Sequence, residues 1–247
     1  MRIEVVGIGA GDPDQITVQA VGVLNRVDVV FLLDKADAAG ELMALREALV
    51  TRYAPQARVV RGADPDHDRV SPGYTAAVDD WRTRRADVCA AMVAELGPDE
   101  TGAFLVWGDP SLYDSVIAVL EDVRTRGADF ELAVVPGISS VSALAAQHRT
   151  TLNQVGGAVQ ITTGRRLARG WPADADDLVV MLDAQCAFLA YPDAEIRWGA
   201  YVSTPDEILI AGRVADVGET IKRERERARA AKGWIMDSYL LRRPATG

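Results

Sequence analysis

The sequence predicts an α/β protein with a mostly parallel sheet, organised as two α/β domains. Short apolar runs alternate with stretches of helical length through the first half. The pattern shifts after Val135-Pro136-Gly137, which predicts a domain of residues 1–136 and a second of residues 137–247. The chain has 247 residues, 49% hydrophobic and 26% charged, enough to build such cores without a metal or disulfide.

Ile3–Val6, Val27–Leu33, Ala103–Val106, Leu132–Val135, Val159–Thr162 and Leu178–Leu182 read as strands. Several lack polar alternation, as strands buried on both faces do. Ile16–Leu24, Gly40–Tyr53, Thr75–Leu96, Leu112–Arg124 and Ser139–Gln147 read as helices. Ile196–Val202 and Glu207–Val214 flank Thr204-Pro205 and predict an antiparallel pair. Val217–Lys232 carries Glu and Arg at helical spacing and reads as a solvated helix. Gly233–Leu241 then reads as a closing strand.

Gly62–Thr83 stands apart, with the loop ADPDHDRVSPGY followed by a helical stretch. Loops this long inside a compact domain are often functional. Tyr74 and Trp81, with Arg82, Arg84 and Arg85, suit a planar, carboxylated ligand. The plainer reading is an exposed helix with one buried Trp.

A net charge of −9 argues against nucleic acid and anionic membranes as partners. No apolar run approaches a membrane span, and MRIEVVGIGAGDP reads as a strand and loop, not a signal peptide. The expectation is a cytoplasmic protein. Cys89, Cys186, His67 and His148 are too scattered for a metal motif, and both cysteines read as buried thiols.

Four motifs follow predicted strands. Gly7-Ile-Gly-Ala-Gly-Asp-Pro13 permits a tight turn and close approach of a ligand. Its rival reading is a dinucleotide site, for which Asp34 would supply the ribose acid. Asp12 opposes that reading, because it stands at the third glycine and would repel a diphosphate. Val106-Trp-Gly-Asp-Pro-Ser-Leu-Tyr113 places a carboxylate at a strand's carboxyl end, suited to a ribose hydroxyl or a cation. Val134-Val-Pro-Gly-Ile-Ser-Ser140 offers a turn and two hydroxyls, which helix capping alone would also explain. Ile161-Thr-Thr-Gly-Arg-Arg-Leu167, with Arg169 behind it, offers arginines that could clamp carboxylates or merely solubilise a loop.

Singly these motifs are weak, but their order and spacing resemble the tetrapyrrole methylase family. Arg197-Trp-Gly199 followed by Thr204-Pro-Asp-Glu207 adds to the likeness, which runs from residue 1 to about 214. The resemblance implies two α/β domains with a cleft between them, a homodimer, and S-adenosyl-L-methionine as methyl donor. It implies that Ala10, Trp107, Gly108, Asp109, Leu112, Ser139, Ser140, Leu182 and Ala200 line the cofactor. Ala10 replaces the family's usual proline, Trp107 a usual small residue, and Leu182 aligns with a usual methionine, next to Met181. The family's Pro-Ala pair is absent from Gly233–Leu241.

The Gly62–Thr83 and Ile161–Leu167 stretches resemble the cobalamin-pathway member that methylates carbon 1 of precorrin-5 and releases acetate. That reading makes Arg165, Arg166, Tyr74, Trp81 and Arg84 substrate contacts. Acetate release needs a base for water, with Asp109, Tyr113, Asp114 and Asp183 as candidates. The alternatives are another precorrin methyltransferase, a diphthine- or ribosomal-RNA-type methylase of the same fold, and a dinucleotide-dependent oxidoreductase.

Overall fold

Two faces of apolar side chains decide the first half. In the computed structural model, which describes residues 1–34, 40–65 and 74–243, Met1–Ser139 forms one compact unit and Ser140–Gly247 another. The first unit holds β1 (Arg2–Gly7), α1 (Val18–Leu24), β2 (Val29–Asp34), α2 (Gly40–Tyr53), β3 (Arg58–Ala63), α3 (Tyr74–Val93), β4 (Thr101–Val106), α4 (Val116–Thr125) and β5 (Glu131–Val135). Its five strands are all parallel, in the order β3-β2-β4-β1-β5.

Strand side chains alternate between two cores. Ile3, Val5, Val29, Phe31, Phe104 and Val106 pack with α3 and α4. Val6, Val30, Leu32, Ala103 and Leu105 pack with α1 and α2. Each central strand is therefore apolar on both sides, which is why these segments read as unbroken hydrophobic runs. Parallel pairing brings every strand's carboxyl end to one edge, where Gly7 pairs with Val106 and Asp34 with Ala63.

β3 was not expected. It is an edge strand whose residues Arg58–Ala63 are half-buried or exposed, so it needs no apolar run. The predicted helix at Leu112 begins only at Val116, because the Asp109–Ser111 turn intervenes and Asp114 Oδ1 accepts from the Val116 N–H at 2.6 Å.

The second unit holds α5 (Ser140–Gln147), β6 (Val159–Thr163), α6 (Gly164–Leu167), β7 (Asp177–Met181), β8 (Glu195–Ala200), β9 (Ile208–Arg213), α7 (Val214–Lys232) and β10 (Asp237–Arg242). Its sheet is mixed, in the order β6-β7-β10-β8-β9. β6 and β7 are parallel, β8 and β9 form the expected antiparallel pair, and β10 runs antiparallel between β7 and β8. The register sets Thr163 beside Met181, Met181 beside Ser238, and Asp237 beside Ala200, so β6, β7 and β8 end on one edge.

α7 is not the wholly solvated helix its charge suggests. Val214, Gly218, Ile221, Arg225 and Ala228 form a buried stripe at helical spacing. Gly233 ends the helix in the left-handed region at φ 77°.

Candidate active site

In the first unit, three loops meet at the carboxyl edge, and glycine lets them. A Cβ on Gly137 would lie 2.1 Å from the Gly108 carbonyl oxygen, and one on Gly7 would lie 2.6 Å from the Gly137 nitrogen. Gly108 donates its N–H to the Gly9 carbonyl at 2.8 Å, bridging the loops after β1 and β4. The glycines of the first motif therefore serve backbone-to-backbone packing.

The same geometry removes the dinucleotide reading. Ile8 N–H donates to the Val106 carbonyl at 2.9 Å, and Ala10 N–H donates to Gln15 Oε1 at 3.0 Å. Asp12 caps a 3-10 turn over Pro13–Gln15, accepting from Asp14 N–H at 2.9 Å. α1 starts only at Val18, with Thr17 Oγ1 accepting from Ala20 N–H at 3.1 Å. A diphosphate-sized cradle of open N–H groups at a helix start does not form here. Asp34 is engaged by Arg61 at 2.9 Å.

Asp109 is the latch of the three loops. Its Oδ2 accepts from Gly137 N–H at 2.9 Å, and its Oδ1 accepts from Ser111 N–H at 2.8 Å and from the Ser111 hydroxyl. Burial pushes its carboxyl up, but the Ser111 hydroxyl and the two N–H groups outweigh that and hold it below the usual carboxylate range. It is thus a fixed carboxylate with little capacity left as a base. Around it, Gly108 is buried, Trp107 and Leu112 are half-buried, and Ala10 is 2% exposed. Tyr113 is exposed and left-handed at φ 52°, a strained conformation for an aromatic residue. Ser139 and Ser140 are half-buried at the start of α5.

The helix after β3 divides its arginines. Arg84 is exposed and paired with Asp80 at 2.9 Å, so on this element it is a surface ion pair. Arg85 turns inward: it pairs with Asp64 at 2.9 Å, donates to Ser115 Oγ at 2.5 Å and lies over the Trp81 ring at 5.1 Å. Trp81 donates Nε1–H to the Pro65 carbonyl at 2.9 Å. Trp81 thereby ties α3 to the loop after β3. Tyr74 opens α3, and its side chain lies outside the described residues, as does the loop 66–73.

In the second unit the edge residues are Leu182, Ala200, Arg165 and Arg166. Leu182 follows β7 in the left-handed region at φ 54° and is 64% exposed, an apolar side chain held out at an energetic cost. Ala200 is fully buried at the end of β8. Arg165 and Arg166 are exposed on the single turn α6.

Asp183 is buried and fully engaged by donors. It is 4% exposed, its Oδ1 accepts from Gln185 N–H at 2.9 Å, and its Oδ2 accepts from Ala187 N–H at 2.7 Å and the Tyr239 hydroxyl at 2.6 Å. Burial, then the Asp183 charge, push the Tyr239 phenol well above its ordinary range, so it remains a donor. Arg225 of α7 donates to the Asp183 carbonyl at 2.8 Å and pairs with Asp237 at 2.9 Å, and Trp198 Nε1–H donates to the same Asp237 oxygen at 3.0 Å. This buried network fixes the turn that presents Leu182. Gly164 belongs to it, since a Cβ there would sit 2.3 Å from Asp183 Cγ. The sequence signal for Arg225 is its place on the buried stripe of α7.

Comparison with known proteins agrees with these motifs. The family model of tetrapyrrole (corrin/porphyrin) methylases matches residues 2–218. The chain belongs to this family. It is 47% identical over 250 residues to a deacetylating precorrin-6A synthase from Sinorhizobium sp, covering 99% of this chain and 96% of that protein. The crystal structure of a cobalamin synthesis related protein (CobF) from Corynebacterium diphtheriae superposes with a TM-score of 0.85 at 35% identity, covering 98% of both chains. A uroporphyrin-III C-methyltransferase from Thermus thermophilus, solved with S-adenosylhomocysteine, shares the fold at a TM-score of 0.60 and 19% identity, covering 98% of this chain and 92% of that one.

Proposed function

We propose that this tetrapyrrole methylase is a precorrin-6A synthase of the deacetylating kind, which uses S-adenosyl-L-methionine to methylate carbon 1 of precorrin-5 and releases acetate. The 47% identity across essentially the whole of both chains carries this reading. Among the described residues no helix is long and apolar enough to cross a membrane. A cytoplasmic location is part of the proposal. Family membership extends the proposal to a homodimer.

The edge residues suit a neutral-to-cationic nucleoside better than a diphosphate. Leu112 and the exposed Leu182 offer apolar surface, Ser139 and Ser140 offer hydroxyls, and Asp109 offers one fixed negative charge. On the family resemblance we assign Asp109, Leu112 and Ser139, with backbone from Ala10, Trp107 and Gly108, in the first unit, and Ser140, Leu182 and Ala200 in the second, to the cofactor. Bound S-adenosyl-L-methionine supplies an electrophilic methyl group on a sulfonium.

What the chain contributes is alignment and exclusion of water. The three-loop junction fixes Asp109 without side-chain freedom, and the Asp183 network fixes Leu182 in the same manner. Acetate release requires water to add to the acetyl carbonyl and the bond to the ring to break, with the electron pair returning to the macrocycle. That pair would form the new carbon–carbon bond at ring carbon 1 as the methyl–sulfur bond breaks, leaving S-adenosylhomocysteine. Asp183 is buried and Asp109 is held by three donors; Tyr113 and Asp114, both exposed beside the cofactor loop, are the residues we assign to water or the carbonyl.

The test is incubation with enzymatically prepared precorrin-5 and S-adenosyl-L-methionine, followed by mass spectrometry. The expected product has gained one methyl and lost one acetyl group, with acetate in solution. Methylation without acetate would instead favour another precorrin methyltransferase. No turnover would remove the precorrin reading.

A further inference from the structure

β2 and β4 are paired only from Val29–Gly102 to Phe31–Phe104. Beyond that point β2 stays with β3 as far as Asp34–Ala63, while β4 stays with β1 as far as Gly7–Val106. The two strands part at the carboxyl edge of the sheet, and Arg46 of α2 reaches into the notch. Its Nε–H donates to the Leu105 carbonyl at 3.4 Å, two residues before the Trp107–Asp109 loop.

Arg46 is poorly satisfied for a residue so placed. Its Nη1 touches only the Met43 thioether at 3.9 Å, a weak acceptor, and among the described residues it makes no ion pair. A guanidinium has five N–H donors in a planar fork, so among the described residues one edge of the fork has no partner. Burial holds this guanidinium below its ordinary value; Asp114 opposes that, Arg85 adds to it, and Asp64 and Asp34 oppose it. Those three acids have other work. Asp114 Oδ1 takes the Val116 N–H at 2.6 Å, Asp64 pairs with Arg85 at 2.9 Å, and Asp34 pairs with Arg61 at 2.9 Å. A partly desolvated cation without an anion costs stability. It repays that cost when an anion completes it, more than an exposed arginine does.

We propose that Arg46 docks a carboxylate of the substrate in the notch between β2 and β4, its unused guanidinium edge taking both carboxylate oxygens. The inference rests on the tetrapyrrole methyltransferase reading and adds a substrate contact to it. A chain with net charge −9 must recognise a polycarboxylate through local arginines, and this one lies beside the loop assigned to the cofactor. Arg165 and Arg166 are exposed whereas Arg46 is half-buried, so solvent screens Arg46 less.

The experiment compares wild type with Arg46→Met, which keeps the aliphatic stem, and Arg46→Lys, which keeps the charge without the fork. Loss of a bidentate contact is expected to raise KM for precorrin-5 by about tenfold or more in R46M, with R46K between, while S-adenosylhomocysteine affinity stays at the wild-type value. A folded R46M with wild-type KM overturns the proposal and makes Arg46 structural. If R46M does not fold, R46K decides by the same criterion. Quenching of tryptophan fluorescence by uroporphyrin III keeps the two readings apart. If wild type does not turn over precorrin-5 but binds uroporphyrin III, and R46M binds it more weakly, the docking role stands and the assigned reaction falls. If wild type binds neither tetrapyrrole, both fall.

Discussion

Replacing Asp109 with Asn tests whether one carboxylate holds the cofactor loops together. The carboxylate accepts three hydrogen bonds, from Gly137 N–H, Ser111 N–H and the Ser111 hydroxyl. An amide has one acceptor oxygen, so either Gly137 or the Ser111 pair is left facing an NH2 group. An unpaired, partly buried donor costs roughly 1–2 kcal/mol, the lower part of the usual range because Asp109 is not fully buried. In a chain of this size that corresponds to a melting temperature lower by roughly 2–8 °C. Asp109→Ala loses all three bonds and falls further. The pH dependence has a fixed sign. The folded carboxyl lies below its ordinary value, so its contribution is present above the unfolded pKa of about 4 and is lost as pH falls through the lower folded value. The stability gap between wild type and Asp109→Asn therefore narrows in that acid window. Calorimetry from pH 7 down to acid, with titration of S-adenosylhomocysteine at pH 7, reads both effects. A mutant that melts within about 1 °C of wild type and binds the cofactor product equally well would refute the latch.

Gly137→Ala places a methyl 2.1 Å from a backbone oxygen, so the loops must separate; urea denaturation should show a loss of about 1–3 kcal/mol or more, and cofactor-product affinity should fall. Asp183→Asn should lower stability yet retain turnover well below its melting temperature, whereas abolished turnover in a folded protein would restore Asp183 as a base. Tyr239→Phe removes the donor to Asp183 and should cost about 1–3 kcal/mol by the same denaturation assay; an unchanged midpoint would mean the buried contact contributes nothing. Leu182→Gly should cost less than about 1 kcal/mol, because it relieves a left-handed leucine that is already 64% exposed, and should weaken S-adenosylhomocysteine binding; a large stability loss with intact affinity would reverse the assignment.

The doubly buried strands were legible because β1, β2 and β4 feed two cores at once and leave no polar alternation. β3 was hidden by its edge position, where Arg58 and Arg61 can face water or make ion pairs. The glycine motifs were legible as turns, but not their purpose: only the meeting of Gly7, Gly108 and Gly137 shows that the backbone itself, rather than a phosphate, fills the space. Asp109 and Asp183 look alike in sequence, each just beyond a strand's end, and the fold separates them by burial and by what donates to them. Arg46 had no motif at all. Its position becomes informative only once β2 and β4 are seen to part, a long-range event that local spacing does not encode.

The strand order of the second unit also dictates when it can be completed. Among the described strands of this unit β10 comes after the others in sequence, yet it is interior, with β7 and β8 on either side. Until Asp237–Arg242 has been synthesised, β7 and β8 each carry an unpaired edge and Tyr239, Leu240 and Leu241 are missing from the core. The first unit needs nothing beyond Ser139 to fill its sheet, so it can assemble while the remainder is still being translated. A ribosome that stops a few codons before Arg242 would thus release a finished first half joined to a second half with a gap in the middle of its sheet. Quality control would meet that product as an aggregation hazard and not as a slightly shortened enzyme.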